Sequence, residues 1–189
     1  MMRAYLAHRD FRRVSLGSAW HSAGFQGEQV AVGLLIYDLT GSTGWVGIAY
    51  ALSFLPMLLI GLPAGVTADR FDRRRLLPRI ELSLVVVMAC IAVAFMLGAG
   101  SVELVLGGTF VAGSFRALSQ PVRLSYVHDV MGPERLTGAL GFVSLANRCG
   151  QLVGALVCGL LLEYHGAASA FSALAIMHLC GAAAFFRLQ

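Results

Sequence analysis

Six apolar runs, each about the length that crosses a bilayer, follow one another through this chain with only short polar connections between them. They extend from about Val14 to Tyr37, Trp45 to Val66, Leu77 to Leu97, Leu104 to Tyr126, Leu136 to Leu162 and Ala168 to Phe186. A soluble core of 189 residues has no room for so much apolar surface. The composition agrees, with 58% of residues hydrophobic, 13% charged and a mean hydropathy of +0.76. Those values exclude a soluble enzyme, a disordered chain and a disulfide scaffold. The expected fold class is therefore all-α, a polytopic membrane protein with six transmembrane helices. Residues 1–13 are read as a cytoplasmic N-terminal segment and residues 14–189 as the six-helix transmembrane domain.

The arginines orient these helices. All 14 basic residues are Arg. Arg3, Arg9, Arg12 and Arg13 precede the first run; Arg70, Arg73, Arg74, Arg75 and Arg79 follow the second; Arg123 and Arg135 are assigned to the connection after the fourth; Arg187 follows the sixth. The alternate turns, around 38–44, 98–103 and 163–166, contain none. Positive charge accumulates on the cytoplasmic side of bacterial membrane proteins, so both termini are expected inside the plasma (inner) membrane, with the lipid bilayer as the main partner. The first run is not a signal peptide, because Trp20 and His21 interrupt a short apolar core and the pattern continues past Glu28. No recognition helix or aromatic RNA-binding motif accompanies the basic pI, so nucleic acid is not an expected partner. The four cysteines fall in apolar stretches without metal-binding spacing and are read as small buried thiols.

Three ionisable residues lie deep in these runs: Glu28, Arg116 and Arg148. Each costs about 2.5–3.5 kcal/mol at mid-bilayer, so they are expected to line a wet cavity or to pair with one another. Glu28 and Arg148 differ in depth by only about 5 Å at 1.5 Å per residue, which suggests a contact between them. Glu28 then serves either as a site for a proton or cationic substrate, flanked by Gln26 and Gln29, or as half of a fixed ion pair. Arg116 is either a cavity cation or a side chain reaching the interface. His21, seven residues before Glu28, shares its helical face and is either a proton relay or a hydrogen-bonded spacer. His178 is read as a packing residue. Gly61/Gly65 and Gly150/Gly154 have the small-xxx-small spacing that lets membrane helices approach closely. Pro56, Pro63 and Pro121 mark bends. The sequence lacks HExxH, the serine motif of intramembrane proteases and a nucleotide-binding loop, so no enzyme, metal or cofactor is expected, and transport would run on a gradient.

The stretch Gly65-Val-Thr-Ala-Asp69-Arg70-Phe-Asp72-Arg73-Arg74 between the second and third runs resembles the loop 2–3 signature of the major facilitator superfamily, Gly-x-x-x-Asp-Arg-x-Gly-Arg-[Arg/Lys], with Asp72 at the second glycine. Leu39-Thr-Gly-Ser42 and Leu55-Pro56 look like its drug- and siderophore-exporting branch, which includes enterobactin-type exporters and macrolide efflux proteins. Gly150, Gly154 and Gly159 are similar to that superfamily's antiporter motif, with Ala155 and Cys158 at a proline and a glycine position. The resemblance implies half of a twelve-helix fold, a 3+3 inverted repeat, completed by a second six-helix half or by a parallel second copy; on it the sequence is expected to be partial. It further implies proton-coupled efflux of a small molecule by alternating access, an antiporter. Gly65, Asp69, Arg70, Arg73 and Arg74 would form a cytoplasmic gating motif, with Asp129 as the acid facing Arg73. The alternative is a non-transporting membrane subunit or a remnant of such a transporter.

Overall fold

The computed structural model describes residues 8–68 and 72–188, with side-chain surroundings described for 8–59 and 72–188. Five helical runs account for nearly all of it: α1 (Arg9–Thr40), α2 (Thr43–Ala68), α3 (Arg73–Met96), α4 (Val102–Met131) and α5 (Leu136–Phe186), with a 3-10 turn at Pro133–Arg135. Among the described residues there is no strand.

The helix ends follow from local chemistry. Gly41, with φ 64°, takes the left-handed conformation that closes α1, and its N–H reaches the Tyr37 carbonyl at 2.7 Å. The Ser101 hydroxyl caps α4 by accepting from Leu104 N. Asp72 caps α3, accepting from Arg74 N at 3.1 Å, and its second oxygen lies 3.4 Å from Arg75 Nε. The residue that departs from the superfamily signature thus has its own task of starting the third helix. In α5 the backbone leaves the helical region at Gly166 (φ 78°, ψ −179°), so that run is two helices joined across a break, limbs 136–165 and 167–186. Ser169 donates its hydroxyl to the Gly166 carbonyl freed there, at 2.7 Å.

The helix ends differ from the sequence reading by several residues, and two of the differences matter for the site. The first helix begins at Arg9, not Val14, because Phe11 and Val14 are both buried: Phe11 packs against Phe142, and both belong to a core shared with Leu77, Tyr126 and Phe185. Arg123 lies well inside α4 and not in the connection after it, which leaves eleven arginines in the loop-side set.

α1 runs through the middle of the bundle and packs against both limbs of α5, while α2 packs on α4 and α3 on the second limb. Glycine makes the closest of these approaches. A Cβ on Gly150 would collide with the Ala19 carbonyl, and one on Gly154 with the Ala23 carbonyl. Gly159 has no such constraint, since its Cβ would sit 3.6 Å from Val30. On the second limb, Gly17 and Gly24 of α1 receive Phe185 and His178. The outward surface is apolar, with Leu58, Leu97, Leu152 and Leu156 among the large exposed side chains, as expected for a lipid-facing belt. By length and composition, 73–96, 102–131 and 133–186 qualify among the described residues as able to cross a membrane, with a shorter apolar stretch at Thr43–Leu59. α1 falls short on composition because it carries the polar residues of the interior, Ser15, Ser18, His21, Ser22 and Glu28, all buried.

The thiols do not all behave as small buried groups. Cys158 is buried beside Gly27, but Cys90 and Cys149 are exposed on the outer surface, where a thiol is apolar enough to face lipid.

Candidate substrate cavity and its buried charges

A cavity of about 270 Å³ opens between α1, α2, α4 and the first limb of α5. One part of its wall is aromatic and apolar, formed by Phe25, Phe54 and Met57; the rest is polar, with His21, Ser53, Arg116, Gln120, Arg123, Asn147 and Gln151. A second hollow of about 210 Å³ adjoins it and shares Gln120, Arg123 and Asn147. The combination of apolar surface and a few convergent polar groups is the usual construction of a small-molecule site.

Glu28 is fully buried and its Oε2 accepts from Nη2 of Arg116, whose guanidinium also lies 5.0 Å from the Phe25 ring centroid. The expected Glu28–Arg148 contact is not made. Arg148 is exposed and donates to Gln151 at 3.1 Å. Neither depth nor direction allows it: α1 and the first limb of α5 pair Ala19 with Gly150 and Ala23 with Gly154, so Arg148 lies level with about Gly17, about 16 Å along α1 from Glu28, and it is rotated by about 200° from Gly150, which faces α1. Arg116, offered either as a cavity cation or as an interface side chain, is the buried partner of Glu28 and lines the cavity. Glu28 Oε1 and Arg116 Nε and Nη1 have no hydrogen-bond partner among the described residues, so the pair is only partly satisfied. Gln29 does not line the cavity; it donates to Ser53 at 3.0 Å and its carbonyl accepts from Tyr50, tying α1 to α2. Gln26 is half-buried and also outside the lining.

His21 does not reach toward Glu28. Its Nδ1 lies 2.5 Å from Oε1 of Glu81, and Nδ1 of His178 lies 2.8 Å from Oε2 of the same carboxylate. All three side chains are buried. His178, read from sequence as packing, is therefore half of a clamp on a buried acid. Glu81 was not singled out, although it is an acid four residues into an apolar run; the available signal was that acid together with His21 and His178, both also within apolar runs. The three ligand atoms fall within 4.8 Å of one another, a spacing that invites a metal. The donor chemistry argues otherwise. A metal on Nδ1 of His178 would move its hydrogen to Nε2, which is buried against Gly24 with no acceptor.

At one end of the bundle, Arg73 Nη1 bonds Asp129 Oδ2, joining the start of α3 to the end of α4. Asp69 and Arg70 lie outside the described residues, as do the surroundings of Gly65, Gly61 and Pro63.

Comparison with known proteins agrees with this architecture. The family model described as "Transmembrane secretion effector" matches residues 2–189. The staphyloferrin A transporter of Staphylococcus aureus (strain NCTC 8325 / PS 47) is 25% identical over 153 residues, covering 79% of this chain and 38% of that protein. A crystal structure of the POT family transporter PepTSo superposes with a TM-score of 0.76 at 20% identity, over 95% of this chain and 37% of that one, a likeness of fold. The chain spans little more than a third of the length of either relative. With a match over nearly its whole length, the chain belongs to the transmembrane secretion effector family of the major facilitator superfamily, a family of transporters and not of enzymes.

Proposed function

We propose that this chain is the six-span N-terminal half of a secondary active transporter that exports a small drug- or siderophore-like molecule by alternating access, with protons moving the other way. The observation that carries the reading is the cavity, which sets Arg116 and Arg123 beside Phe25, Phe54 and Met57 within the helical bundle of a transporter family. Helix length supports six crossings. α5 would be about 77 Å long if straight, more than twice the roughly 30 Å hydrocarbon core, and it breaks near its middle at Gly166. The remaining four runs, at about 36–48 Å, each suffice for one crossing. The loop-side arginines support cytoplasmic termini in a bacterial inner membrane. The siderophore relative supports a molecule of that class. A second six-helix half, or a parallel second copy, would close the open side of the cavity, and the Arg73–Asp129 pair would steady the cytoplasmic face during the rocking.

Everted membrane vesicles from cells making the protein test this directly, with staphyloferrin A and ethidium as paired probes. Energised vesicles are expected to accumulate at least one probe, and a protonophore is expected to abolish the accumulation. Equal probe content in vesicles with and without the protein would overturn the reading.

A further inference from the structure

We propose that His21, Glu81 and His178 form the exchangeable-proton site of this protein, loaded from the cavity through His21; the inference rests on the proposed proton-coupled transport and assigns its proton to a place. The cluster forms a polar layer between two apolar cores. On α1 it lies between Val14 and Ala23, on α3 beside Leu77 and Leu84, and on α5 between Leu174 and Phe185. A buried carboxylate in such a layer persists only if its lone pairs are satisfied, and the two Nδ1 contacts at 2.5 and 2.8 Å do that when both rings are neutral and donate.

The two histidines differ in access. His178 is fully buried, and its Nε2 abuts Gly24 with no acceptor, so a second ring proton there would be an orphaned buried donor. That fixes His178 as a neutral ring with its hydrogen on Nδ1. His21 alone of the three lines the cavity. A hydronium ion in the cavity gives its proton to Nε2 of His21: one N–H bond forms, one O–H bond breaks, and a water molecule remains. The resulting imidazolium keeps its Nδ1 bond to Glu81 and sets its charge directly against that carboxylate.

The charged groups around the cluster sharpen the choice. From α4, Arg123 shares the cavity wall with His21; its positive charge offsets that of the Glu81 carboxylate and repels an imidazolium at His21, so the proton is held there only while the cavity is acidic. Arg116, also on α4, is neutralised by Glu28 two turns along α1 from His21. Glu28 is held by an arginine that keeps its proton, whereas one of the two partners of Glu81, His21, can take a proton up, so Glu81 and not Glu28 is the acid of the proton site.

The test combines ¹⁵N-histidine NMR of the protein in lipid nanodiscs with the vesicle assay. On acidification His21 is expected to acquire a doubly protonated ring while His178 keeps a single Nδ1–H. Glu81→Gln should remove that transition and lower protonophore-sensitive accumulation at least tenfold while sparing probe exchange. His21→Asn keeps a donor toward Glu81 but cannot take up the proton, so it should reproduce the defect in a protein that still elutes as one folded species. If His21 stays singly protonated, or if His21→Asn accumulates probe like the wild type, the site is wrong although transport stands. If wild-type vesicles move neither probe while His21 still takes up its proton, the transport reading fails and the site does not.

Discussion

Glu28→Gln is expected to destabilise the folded protein by about 3–5 kcal/mol, because it strands the Arg116 guanidinium in the interior. Among the described residues no other carboxylate pairs with Arg116: its Nε and Nη1 are already without partners, and the Phe25 ring offers only a cation–π contact. The pair also desolvates two charges, so much of its attraction only offsets burial. It follows that the double variant Glu28→Gln/Arg116→Gln should recover most of the loss, since two neutral amides can bond each other without an unpaired charge. Unfolding titrations of the wild type, Glu28→Gln, Arg116→Gln and the double variant in mixed micelles give the coupling energy directly. A double variant no more stable than Glu28→Gln alone would show that the pair is not the origin of the effect.

The second large effect is steric. Gly154→Ala adds one methyl group where α1 crosses the first limb of α5, and the Ala23 carbonyl occupies that space. Backbone cannot swing aside as a long side chain can, so the helices must separate, at about 1–3 kcal/mol. Separation would also draw α1 away from Cys158 and Leu174, which pack against Gly27 one turn further on. Gly159→Ala is the control, because a Cβ there meets Val30 at an ordinary 3.6 Å; it should leave the unfolding midpoint within about 0.5 kcal/mol of wild type. Equal losses in the two variants would mean that the close approach is not what the glycine provides.

These two cases show what was legible in the sequence. The Gly150/Gly154 spacing identified a close helix contact because small residues four apart have few other uses in an apolar helix. It did not say that α1 would be the partner, since spacing fixes a face and not its neighbour. Counting from the inner helix ends put Glu28 and Arg148 only about 5 Å apart in depth, but the register of α1 on α5, Ala19 beside Gly150 and Ala23 beside Gly154, separates them by about 16 Å, and Arg116 took the place assigned to Arg148. The Arg73–Asp129 contact could be anticipated because the resemblance implies an acid near the end of the fourth span as the partner of Arg73, and Asp129 stands there. Glu81 was not, because a single acid near the end of an apolar run looks like a flank residue until two histidines, 60 and 97 positions away in the chain, are seen to close on it. Arg123 was misplaced for the same reason: charge near a helix end was counted as loop charge, whereas α4 continues to Met131 and carries Arg123 into the cavity wall.

The central claim is that this bundle encloses a water-filled path within the membrane, and site-directed thiol labelling tests it most directly. Gln120 lines both hollows, about 16 Å along α4 from its end at Met131, while Leu58 is 79% exposed on the outer surface. In a cysteine-free background, Gln120→Cys is expected to react with a membrane-impermeant thiosulfonate applied from the cytoplasmic side at least ten times faster than Leu58→Cys. Labelling of Leu58→Cys as fast as Gln120→Cys, or no labelling of Gln120→Cys from either side, would contradict the account.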